Sequence, residues 1–339
     1  MIAQLLNTLF VQAQGAYLHL DHDTIKVEVE GKLKLQIPLH HLGGLALFGN
    51  VLISPFLLHR CAQDGRQVTW FTKQGEFMGR LVGPTTGNVL LRRAQHQALN
   101  NPTKTLNLAR WFVEAKIKNA RTVLLRAARE RPPTPALARA LEEHKQVLKR
   151  IPKAVSLDEI RGLEGRASAL YFSAFNDLIL VEGFRLAGRT KRPPLDPVNA
   201  LLSFLYTLAV NDCVAALEGV GLDPQIGYLH TLRPGRPALA LDLLEEFRAW
   251  WTDRLALAIL NRRRLSPKYF ETRPGGAVFL TEGGRRRVIE AYQRRKQEKV
   301  RHPLLKEPVP IGLLPHLQAR LLARYLREDL PEYPAFVGK

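Results

Sequence analysis

Sulfur is nearly absent from this 339-residue chain, which has two cysteines and two methionines. Cys61 and Cys213 lie far apart and form no Cys-x-x-Cys pair, which excludes a thiolate metal site and a disulfide scaffold. Both read as small buried hydrophobes. Acid is scarce as well, with 31 Asp and Glu against 50 Lys and Arg, a formal net charge of +19. No apolar run reaches the roughly 18 residues needed to cross a bilayer, so no membrane span is expected. The opening Met1-Ile-Ala-Gln-Leu-Leu lacks the basic start of a signal peptide, and a cytoplasmic location is expected. No internal repeat or low-complexity tract interrupts the chain. With 46% hydrophobic and 24% charged residues, it has the composition of an ordinary folded protein rather than a disordered tail.

What is abundant is arginine, and it is unevenly placed. Residues 1–95 carry nine basic and six acidic residues, net +3, which leaves 41 basic and 25 acidic, net +16, for the remainder. Residues 261–301 alone hold 13 basic and four acidic residues, net +9. That stretch contains Arg262-Arg-Arg264, Arg285-Arg-Arg287 and Arg294-Arg-Lys296. Arginine forks match phosphate oxygens, and neutralised phosphates release counterions, so nucleic acid is the natural partner. An anionic membrane surface is the weaker competitor.

The pattern of apolar residues predicts α+β architecture. Ile25, Val27 and Val29 alternate with polar residues, Glu30-Gly31 turns the chain, and Leu33, Leu35 and Ile37 alternate again, as in a hairpin. Further strands are expected at 44–48 and 68–71, with a short helix at 55–62 and Gly65, Gly75 and Gly79 as punctuation. Arg80-Leu-Val-Gly-Pro84 closes this region. Residues 1–88 are therefore expected to form a small β-sandwich-like domain, and 89–339 a larger all-α domain with a basic C-terminal segment. Helices are expected at 89–98 and 106–130, then a polar helix to about Arg150. Ser156 and Glu159 form a capping box for the next helix, and Pro197 opens another. A single long helix is expected from about Ala238 to Asn261.

Three settings in the second part carry chemistry-bearing residues. Glu164 lies two turns into the helix that Ser156 caps, within Arg161-Gly-Leu-Glu-Gly-Arg166. Gly165 there suggests close approach of a backbone or ligand. His230 ends Gly221-Leu-Asp-Pro-Gln-Ile-Gly-Tyr-Leu-His. Asp242 and Glu245 are three apart, so a helix places both on one face beside the apolar Leu241, Leu244 and Trp251. Glu246 points about 100° away and is expected at the surface. Salt bridges to Arg248 or Arg254 are the structural alternative for the two carboxylates. A carboxylate–imidazole–carboxylate set suits a divalent cation, and a cation beside a basic surface suits phosphate chemistry. His40-His41 has apolar neighbours and no carboxylate pattern, and reads as structural.

The chain resembles the CRISPR-associated integrase, the catalytic subunit of the complex that inserts new spacers into CRISPR arrays. The likeness runs almost the whole length. It is most specific at Arg192-Pro-Pro-Leu-Asp-Pro-Val-Asn-Ala-Leu-Leu-Ser-Phe-Leu-Tyr206, at 218–230 and at Leu239 to Arg248. Leu5-Leu-Asn-Thr-Leu-Phe10 and Gly87-Asn-Val-Leu-Leu-Arg-Arg-Ala-Gln95 also match one subtype. The resemblance implies Mg²⁺ or Mn²⁺ held by Glu164, His230 and Glu245, with Asp242 joining the catalytic set. Many members have Asp where this chain has Glu245, which leaves the division of labour between Asp242 and Glu245 open. Ser203 and Tyr206 are expected to line the site, and Arg80, Arg233, Arg236, Arg248 and Arg254 to contact DNA phosphates.

The implied activity is that of a DNA integrase and endonuclease: the 3′-hydroxyl of a short DNA attacks the repeat backbone by transesterification, and hydrolysis appears as nuclease activity. The implied partners are double-stranded DNA, a second copy in a homodimer, and a small protein of the adaptation complex. The alternatives are a non-catalytic nucleic-acid scaffold and an RNA-directed nuclease, since net charge does not separate DNA from RNA.

Overall fold

Glu30 and Gly31 take up positive φ angles of 53° and 70°, the backbone that a tight two-residue hairpin turn requires. They join β4 (Thr24–Val29) to β5 (Lys32–Pro38), as the alternation predicts. The fold is that of a computed structural model, which describes residues 2–5, 8–73, 77–83 and 89–338. Gly75, Pro84, Gly87 and the boundary at residue 88 lie outside the described residues.

The N-terminal strands form two sheets. One is ordered β5-β4-β3-β7, with β3 at Ala16–Asp21 and β7 at Val51–Ile53. The other is ordered β1-β2-β6-β8-β9, from Ile2–Leu5, Thr8–Val11, Gly44–Phe48, Gln67–Phe71 and Phe77–Arg80. Alternate residues of both sheets, including Leu9, Leu18, Val27, Leu47 and Val68, close a shared core with Leu57 and Cys61 of α1 (Pro55–Gln63). That is the expected sandwich. The five-stranded sheet also has a second buried face, where Phe10, Phe48 and Phe71 join the core of the helices. Covering on both faces explains why all five residues of β6 are buried.

The helices follow as α2 (Val89–Leu99), α3 (Pro102–Glu130), α4 (Pro135–Arg150), α5 (Leu157–Ser173) and α6 (Pro197–Gly219). Ser156 accepts from Glu159 N at 3.2 Å to start α5, while the Glu159 carboxylate reaches Val155 N at 3.0 Å, one residue further back than a capping box requires. Asp196 caps α6 ahead of Pro197. By length and composition alone α6 could cross a membrane, although Asn199, Asn211 and Asp212 interrupt its apolar residues. Its apolar character follows from its place in the helical core, where most of its residues are buried.

The long helix expected from 238 to 261 is interrupted. It runs as α7 (Ala238–Glu245), a π-helical stretch over Arg248–Asp253, and α8 (Arg254–Asn261). A π turn re-aims side chains that a regular helix would stack, and such turns are frequent at functional sites. The remaining chain holds β10 (Phe270–Thr272), β11 (Val278–Leu280), α9 (Glu282–Gln297), β12 (Lys299–Arg301), β13 (Pro308–Pro310) and α10 (Leu314–Leu326). Two small antiparallel ribbons, β10-β11 and β12-β13, thus correct the all-α expectation for 89–339.

Candidate metal centre

Four segments converge: the middle of α3, the second turn of α5, the loop before α7, and α7 with the π stretch after it. Glu164 comes from α5, His230 from the loop, and Asp242 and Glu245 from α7, so the structure gathers all four acidic and imidazole residues expected from the sequence. They do not play equivalent parts.

Asp242 is fully buried. Its Oδ2 accepts Tyr228 N at 2.6 Å and Leu229 N at 3.0 Å, and its Oδ1 accepts His230 N at 3.0 Å. The same Oδ1 lies 2.6 Å from His230 Nδ1. With so many donors aimed at it, the carboxylate is the acceptor, so Nδ1 carries the hydrogen and Nε2 is the ring nitrogen left to face a ligand. Asp242 therefore stands behind the imidazole and orients it. Arg161 ties the same loop to α5 by donating Nε–H to Leu229 O at 2.9 Å, while the Leu229 side chain is buried against α3 and α5.

Glu245 is nearly buried as well, and faces three positive or polar groups. Arg248 Nη2 lies 3.0 Å from its Oε1, Lys116 Nζ lies 2.7 Å from its Oε2, and His230 Nε2 lies 3.9 Å from Oε1. Burial pushes this carboxyl up, but Arg248, Lys116 and His230 outweigh it and leave it at about 2. The lysine contact is close but not aligned, so Oε2 is a buried oxygen without a well-directed donor. Glu164 receives hydrogen bonds from Lys116 Nζ and, at 2.8 Å, from Ser168 Oγ. It is 26% exposed and His230 21%, against 3% for Glu245, so the centre opens on their side.

Lys116 was missed by sequence reasoning. Its signal is a charged residue on an otherwise buried helical stripe, between Phe112 and Val113 one turn before and Ala120 one turn after. Among the described residues no three His, Cys, Asp or Glu side chains already close on a common point. The carboxylates instead close on the lysine ammonium. The donors still suit a small hard or borderline cation: two carboxylates, one with an undirected buried oxygen, and an imidazole whose Nε2 faces Glu245.

Several expected contacts fall elsewhere. Arg80 pairs with Glu218 and fastens β9 to α6, so it is not part of the centre. Arg254 stacks over Trp250 at 5.6 Å and faces a different surface. Of the two salt-bridge alternatives for the carboxylates, Arg248 to Glu245 forms and Arg254 contributes none. Arg233 and Arg236 lie in the turn just after His230, where Arg233 is exposed. Tyr206 and Ser203 support arginines rather than face the carboxylates. The Tyr206 ring lies 4.9 Å from the Arg248 guanidinium and 5.3 Å from that of Arg189, and Ser203 Oγ accepts from Arg189 at 3.4 Å. Tyr206 also donates to Asp253 at 2.6 Å, whose carboxyl burial raises to about 6. Gly165 meets no protein atom where a Cβ would stand, so no backbone crowds it.

Glu246 is not at the surface. It is fully buried and accepts from Tyr333 Oη, Phe336 N and, at 2.8 Å, Gln318 Nε2. Burial lifts its carboxyl to about 8. The 100° argument fails because α7 is enclosed on every side, and the C-terminal segment packs where solvent was expected.

Residues 9–294 match the protein family described as CRISPR associated protein Cas1. The chain belongs to the Cas1 family. A CRISPR-associated endonuclease Cas1 of Moorella thermoacetica is 51% identical over 98% of both chains. A Cas1 endonuclease of Chlorobaculum tepidum is 47% identical, covering 98% of this chain and 99% of its own. The structure of the Cas1 protein TM1797 from Thermotoga maritima superposes with a TM-score of 0.80 at 25% identity, over 95% of this chain and 97% of that one. The Cas1 resemblance read from residues 192–206, 218–230 and 239–248 is thereby confirmed.

Proposed function

We propose that this Cas1-family chain is a divalent-metal-dependent DNA endonuclease and integrase, which joins the 3′-hydroxyls of short DNA fragments to a CRISPR repeat backbone. The observation that carries this reading is the convergence of Glu164, His230 and Glu245, with Asp242 holding the imidazole so that Nε2 faces the carboxylates. Glu164, His230 and Glu245 would hold Mg²⁺ or Mn²⁺, and a bound cation supplies polarisation of a phosphate and stabilisation of charge on its oxygens. Asp242 holds the imidazole in a fixed orientation. Arg248 stays charged through its pairing with Glu245 and stands ready for phosphate oxygen. Arg233, exposed beside His230, offers a further phosphate contact. Double-stranded DNA, a second copy of the chain and a small adaptation protein are the partners this activity requires, and the DNA places it in the cytoplasm.

The deciding experiment replaces His230 by Ala in the full chain. Strand transfer into a repeat-bearing plasmid should be abolished while DNA binding persists; retained strand transfer sinks the assignment. One observation favours a second reading, that of a non-catalytic scaffold: Lys116 already pairs with both carboxylates. Thermal stabilisation by Mn²⁺ in the wild-type chain, absent from the His230→Ala variant, rejects that scaffold.

A further inference from the structure

The arginine clusters of 261–301 remain unaccounted for by the metal centre, and the structure separates them. Arg285 is buried and donates to Leu280 O, Arg286 pairs with Glu290, and Arg287 lies over Tyr269, so that cluster builds the fold. From the other two, Lys296 is buried against Asp212, while Arg262, Arg264, Arg294 and Arg295 reach a common surface. These arginines line an open groove of about 860 Å³ between the end of α3, α8 and α9.

Eight arginines and two glutamates line this groove, a formal +6. The two acids are committed, Glu130 to Arg126 at 3.3 Å and Glu298 to Arg295. Arg129, Arg262, Arg264 and Arg294 have no acidic partner among the described residues. Burial and the neighbouring Arg295 and Arg126 depress the Arg254 guanidinium, a direct mark of like charges held together. Such crowding is unfavourable in the empty protein and is relieved by an anion.

Shape narrows the anion. The lining includes aliphatic residues such as Leu180 and Leu257, and no aromatic side chain is part of it among the described residues. Strand-binding grooves that hold bases do so by aromatic stacking, so this one lacks the means to hold bases and has ample means to hold phosphates. Arg126 lies ten residues beyond Lys116 on α3, about 15 Å along the helix axis. At about 3.4 Å per nucleotide of a stacked strand, that is four to five nucleotides from the metal centre.

We infer that this groove is a second nucleic-acid subsite, which holds the phosphodiester backbone of a DNA segment remote from the scissile bond and without regard to base sequence. It rests on the proposed DNA reading and adds to it where the flanking DNA lies. The test neutralises three exposed or unpaired arginines, Arg129→Gln, Arg262→Gln and Arg294→Gln, in the full chain. Affinity for a 30-base-pair duplex of arbitrary sequence is measured between about 50 and 200 mM salt, with the melting temperature as a check on folding. Each lost contact should flatten the slope of log K against log salt by about 0.9, so the triple variant should lose about 2 to 3 in slope and tenfold or more in affinity. A folded variant that keeps the wild-type slope, while the wild type binds, overturns the groove and leaves the nuclease reading intact. A wild type with no salt-dependent DNA affinity overturns both. Loss of binding to phosphatidylglycerol vesicles with unchanged DNA binding would also overturn it, assigning the groove to a lipid surface.

Discussion

Asp242 Oδ1 accepts the Nδ1–H of His230 at 2.6 Å while both oxygens of the same carboxylate collect the amides of Tyr228, Leu229 and His230. One buried side chain thus sets the loop backbone, the ring orientation and the tautomer together. Asp242→Asn should break this unit, since an amide nitrogen cannot accept. Partners of this kind tune metal affinity by roughly 10- to 100-fold, so Mn²⁺ affinity measured by calorimetry should fall in that range. Unchanged Mn²⁺ affinity would show that Asp242 serves only the loop.

Lys116 holds the site together when no cation is bound, because Glu164 and Glu245 both rest on its ammonium. Lys116→Met removes that charge and leaves two carboxylates facing each other. Breaking a buried ion pair on one side costs about 3 to 5 kcal/mol, so the metal-free variant should melt earlier than wild type. Mn²⁺ should then restore more stability to the variant than it adds to wild type. Equal Mn²⁺ shifts in the two proteins would mean that Lys116 and the cation do not share a place.

Glu245 and Glu246 are adjacent, both buried, and driven in opposite directions. Glu246 ionises near 4.5 in an unfolded chain and near 8 in the fold, so the fold favours its neutral form. Its contribution is complete below pH 4.5 and is lost as pH rises through about 8, a change of roughly 4 to 5 kcal/mol at most. Glu246→Gln keeps a neutral hydrogen-bonding side chain against Tyr333, Gln318 and Phe336. Melting temperatures from pH 5 to 8 should decline in wild type and flatten in the variant; parallel curves would refute the protonation account.

Glu245 gives the reverse. Its carboxyl is held at about 2 against 4.5 in the unfolded chain, so its contribution is present above pH 4.5 and lost as pH falls toward 2. The size is roughly 3 kcal/mol. Acid unfolding of Glu245→Gln, followed by circular dichroism, should therefore be shallower than that of wild type between pH 4.5 and 2.

How much of this was legible in the residues depends on the distance over which each signal acts. The β4–β5 hairpin, the Ser156 cap, the start of α6 at Pro197 and the Asp242/Glu245 spacing are local patterns, and each is found where the sequence places it. Glu164 and His230 lie far apart in sequence, and family likeness rather than periodicity brought them together. Lys116 stayed hidden because its ion pairs reach 48 and 129 residues along the chain, to Glu164 and Glu245. Glu246 was misplaced because a helix enclosed on all sides has no solvent face for angular spacing to reveal. The π stretch at Arg248–Asp253 left no readable trace either, since Arg-Ala-Trp-Trp-Thr-Asp holds no Gly or Pro to mark a break.

Gly227 is the residue on which the loop geometry depends most narrowly. A Cβ there would stand 2.7 Å from the backbone carbon of Ala238 and 2.9 Å from Asp242 Oδ2, so the strain falls on backbone and on the carboxylate that orients His230. Neither can yield without moving the loop or α7. Gly227→Ala should therefore destabilise the chain by roughly 1 to 3 kcal/mol, as overpacking of a dense core does. It should also displace the imidazole and reduce nuclease activity beyond what the lost stability explains. Urea denaturation reads the first effect, and Mn²⁺-dependent cleavage at a temperature where the variant is fully folded reads the second. Full activity in a folded Gly227→Ala protein would show that the ring does not depend on this close approach.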